Sequence, residues 1–250
     1  MKACILTLVA VLLTPALVYA GPTCATASPL RGNGDGTKFD FVAPTTANYY
    51  QFPATAGRSY SVEETSVYDD STATADIAMT AYTDNACSVA LTGTVNTVNA
   101  NPALAVNASR FSFTAAANET IYLKVNNTNA SVGRYIDVLA DETTQENVRW
   151  ATAQGYLTVY GVKNTTNQVA HVTMAATTDS GGTGTTSVNL TIQPGQRSLV
   201  ALGPGLTINI AAGLGGYTLI THDLPKGGVV VDAYFANATS LVPAVVIAPR

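Results

Sequence analysis

Five carboxylates crowd into a 14-residue stretch: Glu63, Glu64, Asp69, Asp70 and Asp76. Hard cations prefer clustered carboxylates and loop carbonyls, so this stretch is a candidate calcium site with Asp69, Asp70 and Asp76 as its ligands. The alternative is a solvated acidic loop. Paired carboxylates also serve glycosidases as acid and base. Such clefts are usually lined with aromatic rings, and this chain has one Trp in all. Gly32-Asn33-Gly34-Asp35-Gly36 resembles half of a calcium loop but has Arg31 where that loop needs an acid, so a hairpin turn is expected.

The two histidines, His171 and His222, are the candidates for base catalysis. His171 sits in a strand-like run, Val169 to Met174, without an acid near it in sequence. His222 precedes Asp223, and neighbouring residues in a strand point to opposite faces. No Gly-x-Ser-x-Gly elbow and no His-Glu-x-x-His helix occurs. The reading is a non-enzyme with no catalytic residues. Trp150 with Tyr156 and Tyr160 could stack a sugar, but a lone Trp in a sandwich is expected in the core or at a domain interface.

The elements that carry these residues read as strands. Apolar positions alternate with polar ones at Tyr50/Phe52, Tyr60/Val62, Ile77/Met79/Ala81, Phe111/Phe113 and Ile121/Leu123/Val125. The second half continues with Leu157/Val159, Val188/Leu190/Ile192, Ile208/Ile210 and Val229/Val231/Ala233/Phe235. Turn residues separate the runs, among them Ala56-Gly57, Thr83-Asp84-Asn85, Pro194-Gly195 and Pro204-Gly205. Short strands at this spacing predict an all-β protein of sandwich type.

Composition narrows the class further. Of 250 residues, 47% are hydrophobic and 11% charged, and 36 Thr with 13 Ser make about a fifth of the chain hydroxylated. A net charge of −4 excludes the basic footprint of a nucleic-acid binder. Met1-Lys2, an apolar run from Ile5 to Val18 and small residues at Val18 and Ala20 read as a signal peptide cleaved after Ala20. The run is shorter than the ~20 residues of a bilayer span, so no membrane span is expected in the mature chain. Cys4 leaves with the signal, and Cys24 and Cys87 are expected to pair as a disulfide in an oxidising compartment. Seven Asn-x-Ser/Thr triplets, at Asn107, Asn118, Asn126, Asn129, Asn164, Asn189 and Asn237, are read mainly as a consequence of composition.

The charged stretch 142–147 lies near the middle of the mature chain and is taken as a linker. The expected order is a signal peptide (1–20), a first sandwich (21–141), the linker (142–147) and a second sandwich (148–250). Residues 21–141 carry a net charge of −5 and residues 142–250 a net charge of 0. A neutral, apolar second half is expected to pack on something.

The segment from Asn48 to Glu63 holds an aromatic strand, an Ala-Gly turn and a Tyr-x-Val-Glu strand, and in this it resembles the opening of the bacterial pre-peptidase C-terminal domain. Asp76-Ile77-Ala78-Met79-Thr80-Ala81-Tyr82-Thr83-Asp84 resembles its central strand. Phe111–Ala115, Ile121–Val125 and Gly133-Arg134-Tyr135 resemble its closing strands. The resemblance covers about residues 38–140 and implies a jelly-roll-like sandwich, usually an accessory module on secreted enzymes. The second half, through Arg149-Trp150, Gly155-Tyr156-Leu157, Lys163–Thr166, Thr221–Pro225 and Asp232–Phe235, is similar to domains of uncharacterised secreted bacterial proteins. An immunoglobulin-like sandwich is expected there.

The function expected from the sequence is a secreted or cell-surface, non-catalytic protein with a structural, adhesive or self-assembling role. A protein partner or self-association goes with it. The alternative is an extracellular accessory module that binds glycan or calcium. No cofactor other than calcium is expected.

Overall fold

The computed structural model describes residues 20–30, 38–67, 77–92, 94–101, 106–152, 156–179, 186–237 and 243–247. The first half contains β1 (Ser28–Pro29), β2 (Lys38–Val42), β3 (Ala47–Ala54), β4 (Ser59–Val67), β5 (Ile77–Tyr82), β6 (Thr94–Asn101), β7 (Val106–Thr114), β8 (Glu119–Asn127) and β9 (Arg134–Glu142). The second contains β10 (Gln145–Ala151), β11 (Tyr156–Asn164), β12 (Ala170–Thr178), β13 (Thr186–Ile192), β14 (Arg197–Gly203), β15 (Ile208–Asn209), β16 (Gly215–His222), β17 (Val229–Asn237) and β18 (Pro243–Ile247). The helix among the described residues is one 3-10 turn, Cys24–Thr26.

Four sheets form two sandwiches. In the first, β1-β3-β8-β5 packs on β2-β9-β4-β7-β6; in the second, β10-β16-β12-β13 packs on β15-β14-β11-β17-β18. The alternation read from the sequence builds the first core. Tyr50, Phe52, Tyr60, Val62, Ile121, Leu123 and Val125 all turn inward and are buried. Each such large side chain contributes roughly 1.5–3 kcal/mol on leaving water. Tyr60 and Phe113 stack with centroids 5.4 Å apart.

In the second half the alternation fails at β11. This strand lies between β14 and β17 and is buried on both faces, so Tyr160 enters the main core beside Trp150. The Tyr160 hydroxyl meets Thr218 Oγ1 at 2.7 Å. Leu157 and Val159 face the other way and pack with Ala236 in a small separate cluster. Trp150 is a core residue with no exposed surface, and its Nε1 donates to the Tyr217 carbonyl at 2.9 Å. Gly216 makes room for it: a Cβ there would lie 1.8 Å from the Thr177 carbonyl oxygen and 2.8 Å from Trp150 Cζ2.

The segment 142–147, expected as a linker, is mostly strand. Glu142 ends β9 and Gln145 opens β10, so Thr143 and Thr144 alone connect the two. Both are held. The Thr143 N–H donates to the Ser59 carbonyl at 2.8 Å, and the Ser59 N–H donates to Thr144 Oγ1 at 2.8 Å. Arg58 spans the connection, with its guanidinium 2.6 Å from Glu142 and 3.3 Å from Glu146. High charge in this stretch therefore marks an ion-paired corner between two sheets.

Candidate functional site

The side chains with chemical potential gather where the second half covers the outer face of β4, β7 and β9. Strand register sets this face in rows. Thr114 lies opposite Ser59, Ser112 and Asp141 flank Ser61, and Arg110 lies opposite Glu63. The end of β16 and the turn after it lie against these rows. The Ser112 hydroxyl donates to the Asp223 carbonyl at 3.0 Å, and the Thr143 hydroxyl donates to the His222 carbonyl at 3.4 Å. Arg110 donates to Gln168 Oε1 at 2.5 Å. The contact is polar, as expected of an interface between two separately cored halves.

The burial of charge here is partly balanced. Burial lowers the Arg110 pKa, against the attraction of Glu63 and Asp223. Burial raises Glu63, with Arg110 opposing. Burial also raises Asp141, with Lys226 opposing. His222 is 5% exposed, and desolvation lowers its pKa to about 4 despite the Asp223 charge. Four buried atoms of this junction have no hydrogen-bond partner within the protein: Ser61 Oγ, Arg110 Nε, Asp141 Oδ1 and His222 Nε2.

A recess of about 140 Å³ opens at the edge of the junction. Ser112 and Thr114 of β7 form one side; His171 and Thr173 of β12, Thr221 and His222 of β16, and Asp223 form the other. His171 has an acid after all. Asp223 Oδ2 lies 2.7 Å from His171 Nδ1, and Asp223 Oδ1 accepts the His171 backbone N–H at 2.9 Å. The pair makes a base and its orienting carboxylate, but two of the neighbouring hydroxyl hydrogens are committed elsewhere. Ser112 donates to the Asp223 carbonyl, and Thr173 donates to Asn189 Oδ1 at 2.9 Å. His222 is hydrogen-bonded to its own turn: the Leu224 N–H donates to His222 Nδ1 at 3.3 Å.

The other candidates fall as follows. Cys24 and Cys87 form a disulfide with Cα atoms 5.9 Å apart, closing a separation of 63 residues. The Cys87 loop is organised by Asp84, whose carboxylate accepts the N–H groups of Ala86, Ser88 and Val89 and is held below the usual carboxylate range by them. Asp69, Asp70 and Asp76 lie outside the described residues, as does the Gly32–Gly36 stretch. Glu64 is buried among the inner residues of β4, away from the face that carries Glu63. Asn164 is buried, its amide donating to the carbonyls of Gln168 and Ile192, which closes that triplet to modification in the folded chain. Among the described residues no group of three or more His, Cys, Asp or Glu side chains could hold a metal ion. Among them, too, no helix is long and apolar enough to cross a membrane.

No protein-family model matches this chain, and no curated protein matches it.

Sequence reasoning missed the recess as a unit. His171 and Asp223 are 52 residues apart, and Ser112 comes from the other half. The signal within reach was strand parity. His171 and Thr173 share a face, as do Thr221 and Asp223, and these are polar faces of otherwise apolar strands.

Proposed function

We propose that this chain is a secreted, non-catalytic surface protein with a structural, adhesive or self-assembling role. The observation that carries the reading is a cluster of exposed aromatic rings on the first sandwich. Phe39 and Phe41 of β2 are 60% and 46% exposed, and Tyr135 of β9 is 47% exposed. Phe39 stacks on Tyr135 with centroids 5.5 Å apart, and Phe41 lies 5.0 Å from the same ring. Phe41 is seated over Gly133, where a Cβ would come within 2.1 Å of the ring. Contiguous exposed aromatics of this kind mark surfaces that another molecule covers.

Three further features support it. The Cys24–Cys87 bond suits an oxidising compartment outside the cytosol. The short, ion-paired Thr143-Thr144 corner suits a protein that presents its two sandwiches in one fixed relation. The residues that resemble the pre-peptidase C-terminal domain fall on β3, β4, β5, β7, β8 and β9, consistent with a jelly-roll-like sandwich of that kind. We read the second half as immunoglobulin-like. The second reading, an accessory module, draws its glycan half from the recess.

The test is light scattering and electron microscopy of the purified protein over a concentration series, beside a Phe39→Ser/Phe41→Ser/Tyr135→Ser variant. The expected result is assembly by the wild type that the variant loses. A wild type that stays a monodisperse monomer at high concentration, and binds no surface that the variant does not, overturns the reading.

A further inference from the structure

We propose that the recess at the junction binds a neutral, polyhydroxylated ligand: a sugar ring of a glycan. Its volume of about 140 Å³ is below the ~300 Å³ of pockets for drug-sized ligands and several times the ~30 Å³ share of one water, a size that suits a single ring.

The polar lining has the mixed character that sugar hydroxyls match. Ser112 and Thr173 give their hydroxyl hydrogens to Asp223 and Asn189, so their oxygens remain as acceptors. The Asp223 carboxylate, held by two bonds from His171, has acceptor capacity left over. Thr114 and Thr221 supply the opposite character: both line the recess, and a threonine hydroxyl can rotate to donate as well as accept. A hydroxyl both donates and accepts, so a polyol can serve both sets at once.

Charge disfavours ionic ligands. An anion entering the recess would face the Asp223 carboxylate. A cation would find one carboxylate, already paired with His171. The surface beside the recess continues the same chemistry. On the outer face of β10-β16-β12-β13, Asn189 lies opposite Thr173, Thr173 opposite Thr221, and Thr191 opposite His171. Further along β16, Tyr217 is 40% exposed on the same face as Thr221 and offers a ring for stacking a second sugar.

The chain has two histidines and both line the recess, so their imidazole NMR signals report on this site alone. The purified protein is titrated with glucose, galactose, mannose and N-acetylglucosamine, and separately with the anionic N-acetylneuraminate. At least one neutral sugar is expected to shift both signals saturably. Thr173→Val is expected to weaken that sugar at least tenfold, with the Trp150 fluorescence unchanged as evidence of folding. N-acetylneuraminate is expected to shift neither signal. If none of the four neutral sugars moves the signals, if N-acetylneuraminate alone saturates them, or if folded Thr173→Val binds like the wild type, the proposal is overturned. The association test above is independent of this one, because it rests on the aromatic cluster.

Discussion

His171 and Asp223 meet at 2.7 Å across 52 residues, joining the start of β12 to the turn that follows β16. The contact is exposed, with the side chains 66% and 40% accessible, and a pair in such a setting is worth roughly 0.2–1 kcal/mol. Asp223 does more than pair, because it also accepts the His171 backbone N–H. His171→Ala is expected to cost less than about 1 kcal/mol. Asp223→Ala is expected to cost more, about 1–2 kcal/mol, since a backbone donor loses its partner. Urea denaturation of the two variants checks the order; equal losses would show that the backbone bond contributes nothing.

His222 predicts a pH dependence. Burial holds the native ring neutral down to about 4, while the unfolded ring takes a proton near 6.5. As pH falls from about 6.5 to about 4, the unfolded chain binds a proton that the native chain excludes, so stability declines over that window and levels off below it. At 1.36 kcal/mol per unit the decline reaches up to about 3 kcal/mol. Glu63, Asp137 and Asp141 act in the opposite direction: burial raises their pKa, so the native state takes up their protons first as pH falls. Comparing the slope for wild type and His222→Gln isolates the histidine. A slope unchanged by the substitution would show that His222 does not titrate as described.

Gly216→Ala places a methyl group against the Thr177 carbonyl and the Trp150 ring. Neither neighbour can yield easily, because Thr177 is paired in the ladder with Tyr217 and Trp150 is fixed through its Nε1. Overpacking of this kind costs typically 1–3 kcal/mol. A lower midpoint in thermal unfolding and a red-shifted emission from the single Trp are the expected observations.

The Cys24–Cys87 bond closes a long loop, and the chain-entropy account gives it about 4 kcal/mol for a separation of 63 residues. Cys24→Ser/Cys87→Ser is expected to lose most of this while leaving the second sandwich intact, since neither cysteine touches that core. Unfolding curves followed by Trp150, which lies in the second core, and by far-ultraviolet dichroism, which sees both, would then separate into two transitions.

Much of the first core was legible because alternation survives wherever one face of a strand is buried and the other is wet. Tyr50, Phe52, Tyr60, Val62 and the Ile121-Leu123-Val125 run all lie where their parity put them. Parity misled at β11, where Thr158 and Tyr160 look solvent-facing but a central strand is covered on both sides. Charge marked 142–147 as a linker, and the connection there is the two residues Thr143 and Thr144, with Glu142 and Glu146 on either side held by Arg58, which charge alone does not reveal. The cysteine pairing needed no fold at all, because two cysteines remain once Cys4 is assigned to the expected signal peptide, and two allow one bond.

By itself, then, the order of residues determined the strand class, the pairing of Cys24 with Cys87 and most inward-facing side chains, because each of these follows from neighbours two positions apart or from counting. The tertiary structure alone decided that His171 has an acid, that His222 is buried and that Ser112 shares a recess with both. Those relations join strands distant in the chain, and they are set by the register of β12 on β16 and by how one sandwich seats against the other.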